Sequence, residues 1–335
     1  SNNTAVGHSS LKANTTGAYN TASGYGALYG NTTASYNTAV GNSALYTNTL
    51  GARNVAVGHE ALASQNFTSA TDSHNTAVGM SAGRLVTTGI NNTFVGGIAG
   101  TANTTGNSNT AIGMNSLAAN TTAADNTALG VSSLAANTTG ASNTGLGRAA
   151  LATNTTGANN TAVGKNALVV NTTGAGNTAI GLEALQANTT AGSNTAVGFQ
   201  AMALNTTGAE NAAFGYQALK ANTTGGNNTA IGRLALAKNT TASVNTAVGI
   251  AALQTSTTGE KNTAVGVSAG NVLTTGNKNT FIGYQAGQTV TTGSENVRIG
   301  HQAGGSETTG NTQLWIARGP QGVGNSSVWI HGSTA

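Results

Sequence analysis

Asn160-Thr161-Ala162-Val163-Gly164-Lys165-Asn166-Ala167-Leu168-Val169-Val170-Asn171-Thr172-Thr173-Gly174, followed by a two-residue spacer, is the stretch that decides the fold. The phrase reopens at Asn177, and the chain holds eighteen copies of it. Their first asparagines are Asn3, Asn20, Asn37, Asn54, Asn75, Asn92, Asn109, Asn126, Asn143, Asn160, Asn177, Asn194, Asn211, Asn228, Asn245, Asn262, Asn279 and Asn296. Every step is 17 residues except Asn54 to Asn75, which is 21. A short fixed period is the mark of a solenoid, in which each turn packs on its neighbours.

Numbering the repeat from its asparagine, position 5 is Gly in all eighteen copies and position 4 is apolar in seventeen, Ser23 being the exception. Positions 1 to 5 alternate, with Thr and Val on one face and Asn, Ala and Gly on the other, which is the period of a strand. Positions 8 and 9, mostly Ala-Leu, read as a second short strand, and Asn-Thr-Thr-Gly as a turn. Glycines and β-branched residues in every period argue against helix. The expectation is an all-β chain, a parallel β-solenoid or β-roll of about eighteen 17-residue coils over residues 1–310. Stacked at strand spacing, these would form a rod on the order of 85 Å long. The position-1 column, including Asn160, Asn177, Asn194, Asn211 and Asn228, is expected to form a coil-to-coil ladder of side-chain amides.

Position 9 is Leu in twelve copies, Met202 in one, and Gly at Gly83, Gly100, Gly270, Gly287 and Gly304. In three of these five, position 12 turns apolar as Val86, Leu273 and Val290, which restores core volume there; Gly100 and Gly304 lack that replacement. The bland Ala/Gly face is expected to pack against other copies of the chain; the alternative is a monomeric solenoid with an inert surface.

Residues 63–74 carry the four-residue insertion, and Phe67, Asp72 and His74 are expected to project from it. A binding loop and a merely tolerated insertion both remain open. The first coil has no polar cap, so further repeats or another domain are expected before Ser1. Residues 311–335 leave the repeat and hold Trp315, Trp329 and the one proline, Pro320. They read as a C-terminal cap.

Charged residues make up 6% of the chain, with a net charge of +4 and no basic run. That argues against nucleic acid as a partner. No stretch approaches the roughly 20 apolar residues of a membrane span. Cysteine is absent, so no disulfide or thiolate metal site can form. The five histidines and eight acids are scattered, which predicts no catalytic constellation, no metal and no cofactor. Position 6 is the most varied column. Tyr25, Arg148, Lys165, Phe199, Tyr216, Arg233 and Tyr284 lie in it, together with His8 and His301. Such residues together are costly to bury, so the column is expected outside, either as a line of contacts to a glycan or cell surface or as the lining of a groove between protomers. Rows of Thr raise a third class, an ice-binding solenoid, but adjacent Thr-Thr should point to different faces.

Asn3-Thr4-Ala5-Val6-Gly7-His8-Ser9-Ser10 resembles the head repeats of YadA-like trimeric autotransporter adhesins. The resemblance implies a left-handed parallel β-roll with three chains to a bundle. That family's repeat is usually shorter than the 17 residues here, and no coiled-coil stalk or membrane anchor is visible. The full Asn-Thr-Ala-Val-Gly-x-x-Ala-Leu-x-x-Asn-Thr-Thr-Gly pattern is similar to repeat-rich phage tail fibres. The segment from Leu314 to Ile330 is similar to what precedes their cleaved intramolecular chaperones, although no chaperone follows it here. The repeats that carry the resemblance span about nine-tenths of the chain. It implies an extracellular, virion-borne or cell-surface homotrimeric fibre or adhesin shaft; the uncapped first coil separately invites end-to-end association. A passive filament without a receptor is the other reading.

Overall fold

The computed structural model describes residues 2–304, 308–318 and 327–333, with side chains as far as Ile316. The chain divides into two compact units, Ser1–Thr173 and Gly174–Ala335. Both are built only of strands and turns, and the described residues contain no helix. Ten turns of parallel β-solenoid form the first unit and eight the second.

Each turn contributes one three-residue strand at positions 2 to 4. In the first unit these run from Thr4–Val6 to Thr161–Val163, in the second from Thr178–Ile180 to Val297–Ile299. Neighbouring strands pair in parallel with like positions opposed, as in Thr127 with Thr144 and Leu129 with Leu146, or Thr229 with Thr246 and Ile231 with Val248. Backbone bonds run both ways along the stack. The Thr229 N–H donates to the Asn245 carbonyl of the next turn, and the Gly232 N–H to the Phe214 carbonyl of the one before.

The invariant glycine follows from this stacking. At Gly198 φ is +135°, and a Cβ there would sit 2.5 Å from the carbonyl oxygen of Gly215, the equivalent glycine one turn on. Only glycine tolerates both the backbone angle and the approach. The expected second strand at positions 8 and 9 does not form; these residues lie in turns, and the position-9 leucines take left-handed backbone, φ +50° at Leu168 and +53° at Leu219. Such a conformation costs a non-glycine residue about 1–3 kcal/mol. Every position-9 leucine beyond the first turn is fully buried, which stabilises by about 1.5–3 kcal/mol. Burial therefore offsets the local strain, and a strand reading from side-chain type alone fails.

Inside each turn lie the alanines of positions 3 and 8, the leucine of position 9 and the asparagines of positions 1 and 12. Ala179, Ala196, Ala213 and Ala230, all at position 3, are completely buried. The Ala/Gly face, expected to pack against other copies, is instead the interior of the coil, and the strand's outward face is Thr and Val. With so narrow an interior, small residues let opposite walls touch.

The five position-9 glycines have a shared cause. A Cβ at Gly100 would lie 2.4 Å from the Phe94 ring, and one at Gly287 would lie 2.5 Å from the Phe281 ring. Gly83 and Gly270, in the preceding turns, abut the same two rings, and Gly304 abuts buried Arg298. Phe94, Phe281 and Arg298 replace the usual position-3 alanine and fill the space from the opposite wall. Val86, Leu273 and Val290 are buried as well. Position 12 is therefore only part of the compensation.

The insertion is ordered around buried anchors. Phe67, expected to project, is buried, and its ring would lie 2.9 Å from a Cβ on Gly51. Asp72 and His74 are exposed. Thr71–Asp72 pairs in parallel with Gly51–Ala52. Gln65 takes the position-12 place: its Nε2 donates to Asn48 Oδ1 at 3.1 Å, and its Oε1 accepts from Asn75 Nδ2 at 2.9 Å.

Beyond the last repeat, Gln313–Arg318 continues in register. Leu314 opposes Val297 and Ile316 opposes Ile299, with the Trp315 side chain buried where alanine usually sits. Ser327–Ser333 then returns antiparallel along that strand and covers its edge, which ends the parallel stack. The Trp329 side chain and Pro320 lie outside the described residues.

Candidate interaction surface

The turns bury asparagine in two columns. At position 1 the chief rung joins backbone to side chain. The Asn194 N–H donates to Asn177 Oδ1 at 3.0 Å, that of Asn211 to Asn194 Oδ1 at 3.0 Å, and that of Asn228 to Asn211 Oδ1 at 2.9 Å. The Asn160 N–H likewise donates to Asn143 Oδ1 at 3.0 Å. The side-chain amides mostly turn across the coil, as from Asn177 Nδ2 to the Ala191 carbonyl at 2.9 Å. The expected amide-to-amide contacts occur at several of these rungs, as from Asn160 Nδ2 to Asn143 Oδ1 at 3.1 Å and from Asn228 Nδ2 to Asn211 Oδ1 at 3.1 Å. A second amide-to-amide ladder runs at position 12, where Asn154 Nδ2 reaches Asn137 Oδ1 at 2.8 Å and Asn222 Nδ2 reaches Asn205 Oδ1 at 2.7 Å. These position-12 asparagines open the Asn-Thr-Thr acceptor pattern for glycosylation, but beyond half-buried Asn14 they are fully buried.

Outside, three columns run side by side. Threonines at position 2 are mostly half-buried. Position 4 is apolar in all but one turn: ten members are 37–42% exposed, such as Ile112 at 37%, Leu129 and Leu146 at 41% and Ile231 at 42%, while Val57, Val95, Val163, Val197, Val248 and Ile299 are half-buried. Position 6 projects furthest, and Tyr25, Arg148, Lys165, Phe199, Tyr216, Arg233 and Tyr284 are all exposed. Met80, Met114 and Ile250 extend the same column. In each unit the columns make an apolar stripe that none of its described residues covers.

The stripe is internally ordered. Phe199 and Tyr216 stack with centroids 5.3 Å apart, and the Arg233 guanidinium lies 5.9 Å from the centre of the Tyr216 ring. Tyr284 stacks on His301 at 5.2 Å, and Tyr25 on His8 at 5.4 Å. Arg148 and Lys165 are adjacent cations in the first unit's column. Because these rings stack along the coil axis, Tyr216 has both faces occupied and offers outward only its edge and hydroxyl. The geometry suits burial against another side chain better than stacking on a sugar ring.

Two further columns escaped the sequence reading. At position 10, Lys12 lies 5.4 Å from the Tyr29 ring centre, and Tyr29 stacks on Tyr46 at 4.9 Å. At position 17, Tyr19 stacks on Tyr36 at 5.0 Å, the Arg53 guanidinium lies 5.1 Å from the Tyr36 ring centre, and Arg53 Nε meets Asp72 Oδ2 at 3.0 Å. The 17-residue spacing of Tyr19, Tyr36 and Arg53 was the available signal. Adjacent threonines also depart from expectation: positions 13 and 14 both face out, since buried positions recur every third residue from 9 to 12 to 15. The position-13 hydroxyl bonds the next turn, as from Thr223 Oγ1 to the Thr240 carbonyl at 3.0 Å.

Among the described residues, no group of three or more His, Asp or Glu could hold a metal ion, and no helix is long and apolar enough to cross a membrane. No protein-family model matches the chain, and no curated protein sequence matches it.

Proposed function

We propose that this chain is a non-catalytic shaft of a homotrimeric surface fibre, borne on a virion or a cell, in which the stripe of positions 2 and 4 is the face that meets other copies. The observation that carries the reading is the position-4 column, about two-fifths exposed in ten of the turns. Covering a Val, Leu or Ile completely stabilises by about 1.5–3 kcal/mol, so the exposed part of each column residue is worth roughly 0.6–1.2 kcal/mol. Repeated over many turns, this exceeds what a monomer ordinarily leaves uncovered. A second copy with the same 17-residue spacing presents the same column at the same interval, and such matching favours a closed symmetric bundle. The repeats' resemblance to trimeric adhesin heads and phage tail fibres supports three chains, left-handed winding and an extracellular place.

Within that fibre, position-6 groups at the margin of the stripe supply multivalent contacts to a host or neighbouring surface. The exposed threonines favour a second reading, an ice-binding face, but with the position-13 hydroxyls engaged in the stack only one free row remains at that corner.

The test is the mass of the intact chain in solution, measured beside an Ile180→Ser/Ile231→Ser/Ile282→Ser variant. The reading expects three chains for the parent and a lower mass for the variant, each with an unchanged β spectrum. A monomeric parent, or an unaltered trimer in the variant, would refute it. Binding of the parent fibre to cells, compared with a Tyr216→Ser/Arg233→Ser/Tyr284→Ser variant, tests the contact role; equal binding would move adhesion elsewhere or leave a passive filament.

A further inference from the structure

The four residues that break the period do more than lengthen a loop. Residues Ala70 to Asp72 form the far wall of a cleft of about 420 Å³, whose near wall comes from the turn at Thr33–Tyr36 and from Leu50 to Arg53. That volume falls within the roughly 300–1,000 Å³ of small-molecule sites. The walls are fixed in advance. The Thr71 N–H donates to the Leu50 carbonyl at 3.2 Å, and the Ser73 N–H to the Ala52 carbonyl at 3.1 Å. Ser73 Oγ donates to Asn54 Oδ1 at 2.9 Å, while Phe67 and Gln65 anchor the segment from inside. A preformed site avoids the ordering cost that a floppy insertion would carry on binding.

The cleft has a specific chemical character. Tyr36 stands at its edge with Tyr19 on one ring face and the Arg53 guanidinium on the other. Arg53 is held by that contact and by the bond from its Nε to Asp72 Oδ2 at 3.0 Å. The pair meets through Arg53 Nε and Asp72 Oδ2, and both side chains are about half exposed. The exposed half of each leaves a donor group and an acceptor group side by side for a ligand. As a stabilising contact, an exposed pair of this kind is worth only about 0–1 kcal/mol. The remaining wall is apolar at Leu50, Ala52 and Ala70, with a hydroxyl at Thr33.

We propose that this cleft binds a neutral saccharide. A vicinal diol can donate to the Asp72 carboxylate while accepting from the Arg53 guanidinium, which is the charge-assisted, planar pairing at which guanidinium and carboxylate excel. Its C–H face would lie against Leu50 and Ala70. An anionic ligand would meet the Asp72 carboxylate and a cationic one the Arg53 guanidinium, so electroneutrality selects the neutral polyol. The site lies wholly within the first unit and does not depend on the fibre assembling.

The experiment is saturation-transfer NMR on the intact chain with a panel of neutral mono- and disaccharides, run beside sulfated sugars and glucosamine. Competition titrations then rank the affinities. At least one neutral saccharide is expected to bind, and Asp72→Asn and Arg53→Lys should each weaken it by about tenfold or more. Ala70→Trp, which fills the cleft from an exposed position and spares every polar group, should abolish the signal with the melting curve preserved. The Tyr216→Ser/Arg233→Ser/Tyr284→Ser variant should bind as the parent does, which separates this site from the contact role of the position-6 column. Absence of any neutral binder, binding that survives Ala70→Trp, or preference for a sulfated sugar strengthened by Asp72→Asn would each overturn the proposal.

Discussion

Ser256→Asn should stabilise the second unit. Position 12 is asparagine in the four preceding turns, Asn188, Asn205, Asn222 and Asn239, and the ladder stops at Ser256. Two polar atoms are stranded there: Asn239 Oδ1 and Ser256 Oγ are buried without a hydrogen-bond partner. An asparagine at 256 places its Nδ2 where Asn239 Nδ2 stands one turn earlier, 2.8 Å from Asn222 Oδ1 and 3.0 Å from the Ala242 carbonyl. The equivalent acceptors are Asn239 Oδ1 and the Gly259 carbonyl. Two new bonds contribute about 1 kcal/mol each. The new Oδ1 faces apolar Leu273 and is itself unpaired, which cancels the relief of Asn239 Oδ1. Removing the orphaned Ser256 hydroxyl is a further gain, against about 0.5–1 kcal/mol for fixing the longer side chain. The net is about 1–2 kcal/mol. Urea denaturation gives the global effect. Hydrogen exchange at the Thr257 amide, bonded to the Thr274 carbonyl at 2.9 Å, gives the local one, since unfolding of stacked repeats need not be all-or-none. A Ser256→Asn chain no more stable than the parent, with unaltered exchange at Thr257, would refute the claim that the position-12 amides form a working ladder.

Gly198→Ala meets the Gly215 carbonyl at 2.5 Å from a left-handed backbone; it should cost about 3 kcal/mol or more by thermal melting. Phe281→Ala should cost about 3–5 kcal/mol. Adding Gly287→Leu to it should recover part of the loss, whereas Gly287→Leu alone should destabilise, because a Cβ there lies 2.5 Å from the Phe281 ring. Equal melting of the single and double variants would break the proposed exchange of volume.

What the sequence made legible follows from what repetition encodes. Invariant glycine at position 5, the strand at positions 2 to 4 and the parallel 17-residue register all derive from the repeated pattern, and they could be read by laying the eighteen copies over one another. The direction of the faces could not. Alternation puts Ala and Val on opposite sides without saying which is inside, and hydrophobicity favours Val; the narrow coil instead buries Ala196 and leaves Ile231 out. The leucine turns were hidden for a related reason, since φ near +50° at Leu219 is set by burial against local preference. Phe94 with Gly83 and Gly100, and Phe281 with Gly270 and Gly287, were legible as pairs of glycines flanking one large residue, but only once position 3 was known to face position 9. Among candidate site residues, the exposure of Tyr216 and Arg233 followed from the cost of burying them. The Arg53–Asp72 pairing depended on how the insertion folds back, which no periodicity describes.

The most direct measurement of the central claim is a cryo-EM cross-section of the assembled intact chain. Three copies should surround one axis, with Ile112, Leu129 and Leu146 of the first unit and Ile180 and Ile231 of the second turned toward the neighbouring copies. A single isolated copy, or copies meeting through a face that leaves these residues in solvent, would contradict the claim.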